Sequence, residues 1–348
     1  MPLRDELDRL RFDLHTALAE LLIQGKMFDQ VQKMLAELKT KGVREERLTY
    51  LTARIAVERG QWPEAVAMLE KLRPRVRSNH DLSIQLNILL AQSHKQLGDN
   101  DRQLEALKRV LEYDAQSIQA RTGIAALYAA TNRLNDAIRE YEQLVAIPGA
   151  TESAACDMVR LMIARKLRSP GERQGWPDIE RVIGSLEKRH PTSTDVLLAR
   201  SDLLAAQQKT KEAAVLLAAA CDKSKDTRLW MQSAHYAELA QRGGLAVIDE
   251  AAKRLGDQPD LRLKRAALMV SRSPVSFRRE LRELETMPAS FTEEQRTQVL
   301  TGLGELHFTV QDYANARRLF RQLAQERSGD LHARTMLVEI GLRENDRE

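Results

Sequence analysis

The sequence predicts an all-α solenoid of about nine helix-turn-helix repeats, closed by one further helix at its C-terminal end. Three observations predict it. First, helix-loop-helix units aligned on the middle of each second helix place Gln30, Ala65, Gln103, Ala137, Ile179, Ala213, Ala246, Glu280 and Ala316 in register. The intervals are 35, 38, 34, 42, 34, 33, 34 and 36 residues, and a period in this range marks units that bury their apolar faces against their neighbours. Second, apolar residues make up 43% of the chain but aromatics only 4%, so the core is mostly Ala and Leu, as close helix packing prefers. Third, Gly (16) and Pro (10) are scarce and sit mainly at unit boundaries, which calls for long helices and short turns.

Taken along the chain, the unit around Gln30 is degenerate and is assigned because the period demands a helix pair there. Ala53, Gly60, Ala65 and Leu69 mark the next unit, and Ala91, Gly98 and Leu107 the one after. The clearest unit runs from Gln119 to Gly149: Ile124, Ala125 and Tyr128 share one helical face, Thr131-Asn132-Arg133 is a turn, and Ala137, Tyr141 and Leu144 share the facing one. Two antiparallel helices approach closely only where a small residue sits at the crossing and larger ones fill the flanks. Ala125 and Ala137 serve the first purpose, Tyr128 and Tyr141 the second.

The interval of 42 holds an insertion of roughly eight residues, predicted as a loop over 168–177, with Pro177 placed in the first turn of the following helix. Beyond it, the unit around Ile179 is degenerate, 228–259 carries Trp230, Ala234 and Ala246, the unit around Glu280 is degenerate again, and 298–328 carries Leu303, Gly304, His307, Ala316 and Phe320. Leu331 to Leu342 reads as the first helix of a tenth unit within a terminal helix over 331–343, with Leu337 and Val338 at its crossing positions. This helix is either a cap or the start of a truncated unit. Because the polar run Arg343 to Glu348 leads to no second helix, the expectation is a segment of a longer repeat protein.

Ile124, Ala125, Tyr128, Ala137 and Tyr141 match the slots of the pattern W-x2-L-G-x2-Y, A-x3-F, P, and in these residues the chain resembles the tetratricopeptide repeat. Leu303, Gly304, His307, Ala316 and Phe320 match as well, whereas Arg121 departs from the Trp slot and Pro148 falls one residue early. The resemblance covers nearly the whole chain as a single array, 1–348. It implies a right-handed superhelix whose first helices line a concave groove for peptides or helices of other proteins.

The 54 basic and 50 acidic residues leave a net charge of +4, and the signs are interspersed. Nucleic-acid binders present a patch or stripe of one sign, and base-reading helical repeats need near-constant unit length with a recurrent polar slot; neither is present, so an RNA-binding repeat is the weakest alternative. Cys156 and Cys221 lie far apart in apolar helical stretches and read as buried free thiols. No apolar run is long enough to span a membrane, and the charged N-terminal stretch lacks a signal-peptide core, so a cytoplasmic chain is expected.

No catalytic constellation survives scrutiny. Gly302-Leu303-Gly304 lacks a third glycine and a preceding strand, and the repeat register already explains Gly304. The seven histidines occupy separate units with no two at ligand spacing. The expectation is therefore a non-enzyme with no metal and no cofactor: a scaffold for a protein or peptide partner. The second alternative is the regulatory or targeting repeat region of a larger protein. The resemblance maps the groove face onto Tyr50, Arg54, Gln92, Lys95, Arg160, Asp202, His235, Arg265 and Arg272. The slot that holds Asn in the chaperone-tail binders of the family carries Arg54, Gln92, Ala126, Asp202, His235 and Glu305 here, so no such binder is expected. Basic residues outnumber acidic ones from Arg228 through Arg262, Arg265 and Arg272, which suits an acidic or C-terminal peptide held by bidentate arginines.

Overall fold

The computed structural model describes residues 17–23, 25–40, 43–168, 175–272, 278–327 and 330–345, and among the described residues every regular element is helical. The chain divides into two compact units, Met1–Arg165 and Lys166–Glu348. In the first, a helical segment over 17–23 is followed by α1 (Phe28–Thr40), α2 (Glu45–Glu58), α3 (Trp62–Leu72), α4 (His80–Gln96), α5 (Asn100–Tyr113), α6 (Ile118–Ala130), α7 (Leu134–Val145) and α8 (Glu152–Arg168). The second contains α9 (Trp176–Arg189), α10 (Thr194–Ala206), α11 (Thr210–Cys221), α12 (Thr227–Leu239), α13 (Gly244–Leu255), α14 (Pro259–Arg272), α15 (Arg278–Glu283), α16 (Glu293–Thr309), α17 (Tyr313–Glu326) and α18 (Leu331–Asn345). Most of the expected loop lies at 169–174, outside the described residues; Pro177 does occupy the first turn of α9.

Helices pair as hairpins and the hairpins stack. Within the first unit α2 packs on α3, α4 on α5 and α6 on α7, with α3 against α4 and α5 against α6 joining successive pairs. Within the second, α10–α11, α12–α13 and α16–α17 are hairpins, joined by α11 against α12 and α13 against α14. First helices also touch first helices, α2 to α4, α10 to α12 and α12 to α14. This neighbour-only pattern is what a stacked repeat produces.

One buried stripe recurs on the second helices at spacing i, i+4, i+7, a single helical face. It reads Ala65-Leu69-Leu72, Ala137-Tyr141-Leu144, Ile179-Ile183-Leu186 and Ala316-Phe320-Leu323. The crossing partners on the first helices, Ala53, Ala91, Ala125, Ala234 and Ala266, are buried too. All nine aligned positions fall on second helices, but three are off the buried face. Gln30 and Glu280 each sit one residue before the buried Val31 and Leu281, and Ala246 faces solvent. In α13 the stripe is Gly244-Ile248-Ala251. The Gly243-Gly244 turn starts that helix so close to α12 that the crossing residue has no side chain at all.

The turn inside each hairpin repeats as well. Among the described residues, Lys26, Gly60, Gly98, Asn132, Gln208, Gln241 and Gln311 all have φ between 56° and 73°. Each follows a first helix, and the next residue's N–H reaches back to close it: Asp99 to His94 O at 2.9 Å, Arg133 to Tyr128 O at 2.7 Å, Lys209 to Leu204 O at 2.8 Å, Asp312 to His307 O at 2.8 Å. This left-handed C-cap satisfies the orphan carbonyls of the first helix and reverses the chain in three residues. Second helices then start on side-chain caps where the sequence supplies them, Asp99 to Arg102 N and Asp312 to Asn315 N.

On α18, Ala333 and Ile340 are buried against α17 while Leu331, Val338 and Leu342 are 75%, 64% and 62% exposed. Val338 corresponds to Gly304 one period earlier, and Gly304 is covered by Phe320 of its own second helix. The face that a second helix covers in α16 is therefore open in α18.

Candidate partner-binding face

The exposed sides of the first helices carry the polar groups that hairpin packing leaves over, and in the second unit they form a ladder with the period of the repeat. Asp195 of α10 bonds Arg228 of α12 at 2.7 Å, and Gln298 of α16 donates to Asp260 of α14 at 2.7 Å. Midway along, Asp202 Oδ1 accepts from Gln232 Nε2 at 2.7 Å and from the Tyr236 hydroxyl at 2.8 Å. Glu238 takes Arg272 in a two-pronged contact, Nε to Oε1 at 2.6 Å and Nη2 to Oε2 at 2.7 Å. The same carboxylate accepts from Gly244 N at 2.9 Å, so it caps α13 and pins α14 at once; these donors hold its pKa below the usual value.

His235 sits between Asp202 and Lys264. Burial lowers its pKa below the ordinary imidazole value, the Lys264 charge adds to that, and Asp202 opposes it. Lys264, half-buried on α14, is itself held below the ordinary lysine value by burial. Among the described residues no carboxylate pairs with it. A desolvated ammonium beside a neutral imidazole carries a charge that its surroundings leave uncompensated.

Not all the expected groove residues share this face. Arg265 turns to α13, its Nε 3.3 Å from Asp249 Oδ1, and Arg272 is engaged by Glu238. Arg228 is bound by Asp195 and Asp226. Arg262 ties down the chain after α15 through the carbonyls of Leu284 and Thr286 at 2.7 and 2.9 Å. The run of basic residues thus serves repeat-to-repeat stitching. In the first unit Tyr50 is buried, and burial raises its pKa. Arg54, beside it, has its Nε buried without a hydrogen-bond acceptor and 3.9 Å from Glu58 Oε1. Gln92 and Lys95 are exposed on α4, and Arg160 pairs with Asp157 at 2.8 Å on α8.

The sequence reading missed Lys264, Gln232 and Tyr236. A usable signal was there: polar partners one period apart, such as Asp195 with Arg228, Asp202 with Tyr236, Glu238 with Arg272 and Glu285 with Arg318, are separated by 33 or 34 residues. Among the described residues no group of three or more His, Cys, Asp or Glu has the geometry of a metal site, and none of the helices is long and apolar enough to cross a membrane.

Residues 88–153, from within α4 to the start of α8, match a tetratricopeptide repeat model. No curated protein matches the chain. Among solved structures, a tetratricopeptide repeat protein from Parabacteroides merdae is similar at 13% identity and a TM-score of 0.49, over 85% of this chain and 98% of that one. The quorum sensor NprR from B. thuringiensis is similar at 11% identity and 0.47, over 90% and 98%. A thermophilic TPR protein of Thermus thermophilus is similar at 19% and 0.43, over 54% and 99%. The repeat match, the small residues at the crossings and the same left-handed turn recurring in both units lead to one conclusion: residues 88–153 carry tetratricopeptide repeats, and both units are stacks of helix hairpins built in the same way.

Proposed function

We propose that the chain is a non-catalytic scaffold that takes a peptide or helical segment of another protein on its first-helix faces, and that in the second unit the segment carries an acidic group. The observation that carries this reading is Lys264, a half-buried ammonium without a carboxylate among the described residues, next to a neutral His235. Arg228, Arg262, Arg265 and Arg272 are engaged within the chain, which leaves Lys264 as the half-buried cation for an incoming carboxylate. Affinity then concentrates in a few anchors, with the polar ladder around them setting register. The binding of YrrB, described as a TPR protein with an unusual peptide-binding site, is a precedent for the class of ligand only.

The test is capture from native lysate on the immobilised chain, with and without nuclease, followed by a salt step. The reading expects a discrete protein that survives nuclease and elutes at moderate salt, and loses affinity when Lys264 is changed to Glu. Loss of all signal with nuclease would replace it with an RNA-binding repeat.

A further inference from the structure

One exposed apolar face, on α18, is covered by no helix among the described residues. Opposite the side that buries Ala333 and Ile340, the exposed residues Leu331, Thr335, Val338 and Leu342 follow one another at steps of four, three and four, the spacing of a coiled-coil seam. The Thr335 hydroxyl already donates to Leu331 O at 2.8 Å, so covering the face strands no hydroxyl proton. A helix seated as α17 is on α16 has no room here. Even a Cβ at Gly304 would lie 3.0 Å from the Phe320 ring, and α18 carries the whole Val338 side chain at that position. Three residues on, where α6 has Tyr128 and α16 has His307, α18 has Gly341, so the large and small residues of the crossing are exchanged.

We propose that a second copy of the chain covers this face, α18 against α18 in parallel about a two-fold axis. The seam is its own complement: about such an axis each layer meets its twin, Leu331 with Leu331, Val338 with Val338 and Leu342 with Leu342. The flanks match as well. Arg334 borders the seam on one side and Glu339 on the other. In a parallel pair a residue on the first flank meets the residue five further on in the second helix, so Arg334 meets Glu339 of the second copy, and the contact is made twice by symmetry. An antiparallel pair would turn Arg334 toward Gly341 and forgo both contacts. Exposed ion pairs contribute little, so they set direction while the apolar side chains supply affinity. Both helices are already formed, so docking orders little chain, but so short a seam dissociates on dilution.

Sedimentation equilibrium of the full chain across roughly 1 to 200 µM tests this. The mass should rise toward twice 39.5 kDa. Val338→Glu and Leu342→Glu change residues that are 64% and 62% exposed in the monomer, so each should leave the helical circular dichroism intact and weaken association at least about tenfold. Leu239→Glu, at a side chain 59% exposed on α12, should leave association as it is. Glu339→Arg should weaken it, and adding Arg334→Glu to that variant should restore it. Leu342→Cys should oxidise to an interchain disulfide, which the parallel direction permits; the native Cys156 and Cys221 are buried. A mass of 39.5 kDa at every concentration, or a Val338→Glu chain that associates like the parent, would overturn the proposal. A synthetic α17 peptide that bound the monomer and lost affinity on Val338→Glu would overturn it too, by giving the face to a repeat-type helix. Failure of the charge swap to restore association would overturn the direction.

Discussion

Gly244→Ala is the substitution that interrogates the hairpin geometry most sharply. Gly244 opens α13 at the crossing with α12. A Cβ built there would penetrate the van der Waals envelope of the Ala234 carbonyl oxygen and lie 2.9 Å from Glu238 Cβ. Both obstacles belong to α12, and the nearest is backbone, so relief requires the two helices to separate. Overpacking of this kind costs about 1–3 kcal/mol, partly offset by the better helix propensity of Ala, worth up to ~1 kcal/mol in a helix interior and less in a first turn. Separation also lengthens the Gly244 N–H contact to Glu238, loosening the carboxylate that holds Arg272. For a unit of this size each kcal/mol shifts the midpoint by roughly 2–4 °C, so a fall of several degrees is expected. Two controls calibrate it. A Cβ at Gly302 would meet only the end of the Leu263 side chain at 2.6 Å, which can rotate away, so Gly302→Ala should cost little. Gly184, inside α9, has no neighbouring atom within 4 Å, and its Ala variant should gain stability. Thermal melts of the three variants, with amide exchange over 227–255, read the order. A Gly244→Ala chain as stable as Gly184→Ala would refute the close crossing.

Other consequences are equally specific. Buried His94 and His307 both have pKa values lowered by burial from the ordinary 6.5, against the opposing Asp99 and Asp312 charges. The unfolded chain therefore binds more protons just below pH 6.5, so stability is complete above that value and falls as the pH drops through the window; urea midpoints at pH 7.5 and 5.5 should show it, and His94→Gln with His307→Gln should flatten the slope. Gln208 and Gln241 hold φ of 64° and 58°, conformations that glycine adopts more cheaply, so Gln208→Gly or Gln241→Gly should raise stability by up to about 1 kcal/mol in a denaturant titration. Burial pushes the Cys221 thiol up to about 11, although Ser233 donates a partly compensating bond; at pH 8 the folded chain should resist alkylation there, while urea-unfolded chain reacts freely.

The architecture was legible because its signal is periodic. Small residues at crossings and large ones a turn away recur whether or not any single unit matches well, and Ala65, Ala137, Ala213 and Ala316 are all buried where the register puts them. Ala246 misled because alignment on alanine assumes a constant turn, whereas the Gly243-Gly244 step moves the crossing two residues toward the N-terminus. The proposed binding face was less legible for a physical reason. Exposed arginines look alike in sequence, and only the stacking of repeats shows that Arg228, Arg265 and Arg272 are bound by carboxylates from neighbouring helices. Lys264 differs from them by what it lacks, which no local motif records.

That difference is also what a single comparison can test. The partner captured by the parent chain should be lost on Lys264→Glu and retained on Arg265→Glu, and its affinity should rise as the pH falls below the ordinary imidazole value of 6.5 and His235 gains a proton beside the incoming carboxylate. Retention of the partner by Lys264→Glu, with no dependence on pH below 6.5, would contradict the account.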